Sequence, residues 1–230
     1  MKHLLTYTVI MLLAAPGQAQ IVVDHQPIQS GGPAADTEFL DMIGQPNSQR
    51  LADNFMIPAP GPNPPPIPIT EIAWWGFYDQ DNPPLTETMR VRFYGVRPSD
   101  GLPDEQNILY EQSFLNPSRV ATGKVVFVGE LPLEYFYHVN PTVPPQLTAE
   151  TPYWLEVVQL GDIETAFRWE TSAADMDGHA FINPLVVDWQ YTMPATLGDL
   201  AFQISTIPEP CTLGLIMIGL IGLARKRRRR

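Results

Sequence analysis

Between Arg50 and Thr206 apolar and polar residues alternate in short runs with a period of two, the pattern of half-buried strands. It is clearest in Leu51-Asp53-Phe55-Ile57, Ile72-Trp74 with Tyr78, Met89-Val91-Phe93, Val125-Phe127 and Leu133-Tyr135-Tyr137-Val139. It returns in Tyr153-Leu155-Val157, Phe167-Trp169, Leu185-Val187-Trp189-Tyr191 and Leu200-Phe202-Ile204. These amount to about nine short strands, rich in β-branched and aromatic residues and separated by turn signals such as Asp100-Gly101 and Asp177-Gly178. No stretch sustains a helical period. The pattern predicts an all-β domain, an antiparallel β-sandwich or jelly roll.

The pattern breaks on both sides of this region. Residues 20–49 read as a polar arm, loosest over 24–48 around Ser30-Gly31-Gly32-Pro33. Gly61 to Pro68 holds five prolines, which cannot donate to a ladder, so an extended surface loop is expected there. No internal repeat is visible.

The two ends are different in kind. Lys2 opens a short basic start, and Leu4, Leu5, Val9, Ile10, Met11, Leu12 and Leu13 make an apolar stretch too short to span comfortably. Pro16 then breaks the helix, and Gly17 and Ala19 place small side chains before a cut between Ala19 and Gln20. Residues 1–19 are therefore expected to be a signal peptide removed by signal peptidase. At the C-terminus, Pro208-Glu209-Pro210 precedes an apolar run from Cys211 to Ala224, closed by Arg225, Lys226, Arg227, Arg228, Arg229 and Arg230. Fourteen helical residues at about 1.5 Å each cover about 21 Å, short of a hydrocarbon core of about 30 Å. Snorkelling arginines and local thinning can bridge that gap, and the basic cluster keeps its end cytoplasmic. A short transmembrane helix with the domain outside is the physical expectation.

Charge sharpens this. The chain has 25 acidic and 14 basic residues, but the six basic residues of the tail and Lys2 lie outside the domain. Between Gln20 and Thr206 there are 24 acidic and seven basic residues, a formal charge of −17. Such a surface repels phosphate backbones, which argues against nucleic-acid binding. The single cysteine, Cys211, excludes an internal disulfide, so packing must hold the domain.

The order Pro208-Glu209-Pro210, apolar helix, terminal arginine cluster resembles the PEP-CTERM sorting signal over residues 207–230. That resemblance implies an exosortase of the inner membrane as partner, recognising the motif and removing the tail. It also implies transient anchoring in that membrane and a destination at the cell surface or in the extracellular matrix. Ile207 and Cys211 depart from the commoner valine and serine or threonine. Over 50–206, Arg50-Leu51-Ala52-Asp53-Asn54-Phe55, Ile72-Ala73-Trp74-Trp75-Gly76, Tyr153-Trp154-Leu155-Glu156-Val157 and Phe167-Arg168-Trp169-Glu170-Thr171-Ser172 resemble a β-rich domain of exported bacterial proteins. That likeness implies a fold and no chemistry.

Motifs for catalysis are missing from the sequence. There is no HExxH, GxSxG, glycine-rich phosphate loop or CxxC, and His25, His138 and His179 are far apart in sequence. Two acidic pairs could offer oxygens to Ca²⁺, namely Asp79 and Asp81 with Asn82, and Asp175 with Asp177, the better of the two. Turns favour aspartate for their own reasons, so these are turn residues first. Trp74 and Trp75 are neighbours on a strand and point to opposite faces, so one can be core while the other is exposed. An exposed ring there could stack on a sugar, although sandwich cores routinely bury tryptophan. The expected function is a non-enzymatic surface or matrix protein, structural or adhesive, with no cofactor required. A carbohydrate-binding module of the extracellular polysaccharide is the alternative, and a secreted hydrolase the third reading.

Overall fold

The computed structural model describes residues 19–28, 35, 39–40, 46–47, 49–78, 83–126, 132–161, 166–173, 178–182, 188–191 and 198–207. Among them there is no helix, and the strands run as follows. β1 (Gln20–His25), β2 (Phe39–Leu40), β3 (Pro46–Asn47), β4 (Arg50–Met56), β5 (Ile67–Pro68) and β6 (Glu71–Tyr78) come first. β7 (Thr88–Val96), β8 (Pro103–Leu115), β9 (Ser118–Val125), β10 (Leu133–Val139), β11 (Gln146–Leu147) and β12 (Pro152–Gln159) follow. β13 (Phe167–Trp169), β14 (Thr171–Ser172), β15 (Ala180–Ile182), β16 (Gln190–Tyr191), β17 (Asp199–Leu200) and β18 (Phe202–Thr206) complete the domain.

Two six-stranded sheets carry the fold. The first runs β1-β18-β6-β10-β9, with β13 also on β6; the second runs β16-β15-β4-β12-β7-β8. β18 and β13 lie end to end along one side of β6, pairing with Glu71–Trp74 and Gly76–Tyr78 respectively. This junction has little space, because a Cβ on Gly76 would collide with the Phe167 ring and the Arg168 carbonyl. Every pairing resolved within the two sheets is antiparallel.

The two-residue alternation decides which side chains meet. Ile72, Trp74 and Tyr78 of the first sheet and Leu51, Phe55, Met89, Val91, Phe93, Tyr153, Leu155 and Val157 of the second join one buried cluster. Trp74 stacks on its register partner Tyr137 at 5.3 Å, nearly parallel. A smaller cluster joins Ala52, Tyr94, Leu102, Trp154, Ala180 and Trp189 of the second sheet and its flanks. Each fully buried large side chain contributes about 1.5–3 kcal/mol, which is how the domain holds together without a disulfide.

Three expectations change. The polar arm is partly structured: Gln20–His25 is strand β1 of the first sheet, and Ala35 is fully buried. Ala35 donates its N–H to the Phe167 carbonyl and accepts from the Gln159 N–H, so that stretch is tied to the sandwich by backbone groups. β8, thirteen residues long, was not signalled by alternation, because it is an edge strand with most of its side chains in water. Of Leu185–Tyr191, only 188–191 lie among the described residues, and Gln190–Tyr191 is the strand. The proline-rich loop stays extended, with Ile67–Pro68 making a two-residue ladder to β11.

Candidate functional site

The processing signals flank the sandwich closely. Ala19 and Gln20 are both exposed, and β1 begins at Gln20, so the expected cut falls at the first residue of the fold. At the other end β18 runs to Thr206, and Ile207 is half exposed. Pro208, Glu209, Pro210, Cys211 and the cluster Arg225, Lys226, Arg227, Arg228, Arg229 and Arg230 lie outside the described residues.

The tryptophan expectation needs correcting. Trp74 is fully buried and Trp75 is 8 % exposed, so neither offers a bare face to a sugar. Their side chains do point to opposite faces, but Trp75 is packed against Phe136, its register partner on β10, at 5.0 Å. Among the described residues the tyrosine with an openly exposed ring is Tyr191. Asp79, Asp81, Asn82, Asp175 and Asp177 lie outside the described residues. Within the described residues no three His, Cys, Asp or Glu side chains gather as a metal site would require.

What the sequence did not announce is how many ionisable groups are buried. Three clusters hold most of them, while Glu134 and Glu170 are buried elsewhere. On the second sheet Glu156 of β12 is fully buried and accepts from Arg50 of β4 at 2.5 and 2.8 Å, from Arg90 of β7 at 3.0 Å and from the Tyr94 hydroxyl at 2.7 Å. Arg92 stands 3.7 Å away. Cross-strand register brings them together, since Glu156 lies opposite both Ala52 and Arg92. Burial works against the charge on Arg50, but Glu156, Tyr94 and Glu105 outweigh it and raise its pKa. Three of the seven basic side chains of the domain are thus spent on one carboxylate, clasping three strands.

A second cluster closes around Glu87, which hydrogen-bonds the Tyr78 hydroxyl and pairs with Arg119 at 2.7 Å. Burial raises the Glu87 pKa, with Tyr78 and Arg119 pulling against it.

The third gathers the two histidines that the sequence keeps far apart. Asp53 of β4 is fully buried, accepting from the Leu200 N–H at 2.7 Å and the Asn54 N–H at 3.0 Å. His25 of β1 brings Nδ1 to 3.6 Å from it, with its ring on Phe202 at 4.4 Å. Burial pushes the Asp53 carboxyl up to about 7, with neighbouring Asp199 adding to the rise and His25 opposing it. Asp199, also fully buried, accepts from the Gly178 N–H, and His179 sits 3.0 Å from the Gly198 carbonyl. Burial lowers the His179 pKa. One signal could have revealed this cluster: Asp53 falls in the inward phase of Leu51-Asp53-Phe55, where an apolar residue belongs. Chemically the cluster can hold and release protons, and it ties β1 and β17 to β4. Its acids and its two histidines are all shut away from solvent.

No curated protein matches the chain. Residues 206–229 do match the family of the PEP-CTERM protein-sorting motif. The matched stretch takes in Pro208-Glu209-Pro210, the apolar run and all but the last arginine, beginning at the final residue of β18. A folded β-sandwich thus leads directly into an exosortase sorting signal, and the protein is one exported by way of a membrane-anchored C-terminus.

Proposed function

We propose that the chain is an exported surface or matrix protein whose sandwich serves a structural or adhesive role after exosortase removes the tail. The observation that carries this reading is the sorting motif joined without a linker to a sandwich whose buried ionisable clusters are closed to solvent. The reading invokes no enzymatic activity and no cofactor. A carbohydrate ligand stays the alternative, now at Tyr191, whose exposed ring lies 5.7 Å from Trp154, and not at Trp74 or Trp75.

The leader reading is tested at the N-terminus. N-terminal sequencing of protein from the cell envelope should begin at Gln20, and a chain still starting at Met1 would refute the cut.

Sorting is tested at the motif. Pro208→Ala with Glu209→Ala hardly changes the tail's hydrophobicity, so simple anchoring would be indifferent to it. The double variant is expected to stay in the inner membrane with its tail uncut, whereas deleting Cys211–Arg230 should release a soluble domain. Fractionation with mass spectrometry of the C-terminus reads both. Processing of the double variant at the wild-type rate would reduce the tail to a plain anchor.

A further inference from the structure

Charge is absent from one continuous part of this acidic domain. None of residues 57–70, 139–149 or 201–207 is Asp, Glu, Lys or Arg, whereas elsewhere in 20–206 one residue in five is charged. The first two stretches also hold ten of the chain's 25 prolines. The fold brings the three together. β5 pairs with β11, the Ile69 N–H donates to the Pro145 carbonyl, and the Thr70 N–H donates to the Ser205 carbonyl. Asn140 donates to the Thr70 carbonyl at 2.9 Å, and the Thr206 hydroxyl donates to the Pro68 carbonyl at 2.6 Å. The result is a rim around the end of β18, with Val143 74 % exposed and Pro58, Pro60, Pro62, Pro65 and Pro66 in solvent. Glu71, His138, Glu150 and the exposed Asp24, which accepts from Gln203 at 2.7 Å, border it.

We infer that this rim rests on the membrane surface while the tail is inserted. The inference depends on the reading of the tail as an anchor. From Ile207 to Cys211, where the apolar run begins, are four residues, which extend to at most about 14 Å. The end of β18 is therefore held at the headgroup layer whatever the domain does. Acidic side chains facing that layer would be repelled by anionic lipid and would lose hydration. A rim of proline, valine, threonine and amides avoids both costs, and its prolines leave little backbone freedom to lose on contact. Its intrinsic affinity for lipid is weak, since it has no tryptophan, arginine or lysine. The tether compensates by holding the surface at high effective concentration.

The test uses the full chain reconstituted in vesicles of phosphatidylcholine and phosphatidylglycerol, with Cys211→Ser so that a single reporter cysteine can be placed. Val143→Cys puts the fluorophore on the rim. Leu85→Cys, at a fully exposed residue before β7, puts it outside the charge-free stretches, two residues from Glu87. A headgroup-attached quencher should quench position 143 several-fold more than position 85. That preference should survive a flexible spacer inserted between Ile207 and Pro208, because the rim and not only the tether seeks the surface. Equal quenching at the two positions once the spacer is present would overturn the inference, as would preference seen only in vesicles that also hold the processing enzyme. Failure of the chain to float with the vesicles would instead refute the anchor itself.

Discussion

Glutamine in place of Glu156 is expected to cost the fold about 3–5 kcal/mol, the usual penalty for breaking a buried charge network by removing one partner. The carboxylate is fully buried, and Arg90 has no other ion pair among the described residues. Arg50 and Arg92 keep Glu105 and Glu111. Removing Glu156 therefore leaves one guanidinium uncompensated and three cations mutually repelling across β4 and β7. Glu111→Gln should cost less than about 1 kcal/mol, because that carboxylate is nearly half exposed and screened by water. Urea unfolding of residues 20–206 at pH 7, followed by tryptophan fluorescence, measures both. Adding Arg90→Leu to Glu156→Gln should recover part of the loss, since it removes the stranded charge. Equal effects of the two glutamine variants would show that the clasp is no tighter than an ordinary surface pair.

That clasp also shows where sequence reading runs out. The alternation of β4, β6, β7, β10 and β12 was legible because each has one face in the core and period two survives even in short strands. β8 was not, because its inward phase of Tyr110, Gln112 and Phe114 is only partly buried and is broken by a polar residue. β1 was hidden by its position: Gln20–His25 is short and half polar, and only pairing with β18 makes it a strand. The sorting signal was fully legible, because its three parts are contiguous and need no fold to assemble them. The buried clusters are the opposite case. His25, Asp53, His179 and Asp199 come from four separate elements, and only the pairing of sheets sets them side by side. Trp75 illustrates the same limit on one strand. Alternation correctly sent it to the face opposite Trp74, but whether that face is covered depends on Phe136 and on what else packs there.

The Asp53 cluster should make stability fall as pH rises from about 4 to about 7. In the unfolded chain Asp53 titrates near 3.8, while in the fold burial holds its proton up to about 7. Across that window the folded state binds the proton that the unfolded state has released, so its contribution is fully present at low pH and is lost as pH climbs to the folded pKa. At about 1.36 kcal/mol per pKa unit, the swing is on the order of 4 kcal/mol. Glu87, also raised by burial, acts in the same direction. His179 acts oppositely: its pKa is lowered from 6.5, so below that pH the unfolded chain takes up a proton that the folded chain resists. The wild-type profile mixes these effects. The difference between wild type and Asp53→Asn cancels groups remote from the site and leaves Asp53 with its coupling to His25 and Asp199. Asparagine keeps one acceptor and loses the other, an offset that does not change with pH. Wild-type stability relative to Asp53→Asn is expected to drop by that same few kcal/mol between pH 4 and pH 8, with most of the change below pH 7. The readout is the urea midpoint at each pH. A difference that stays flat, or that rises with pH as for a carboxylate held charged by His25, would mean that Asp53 is ionised in the fold and that its pairing with His25 outweighs its burial.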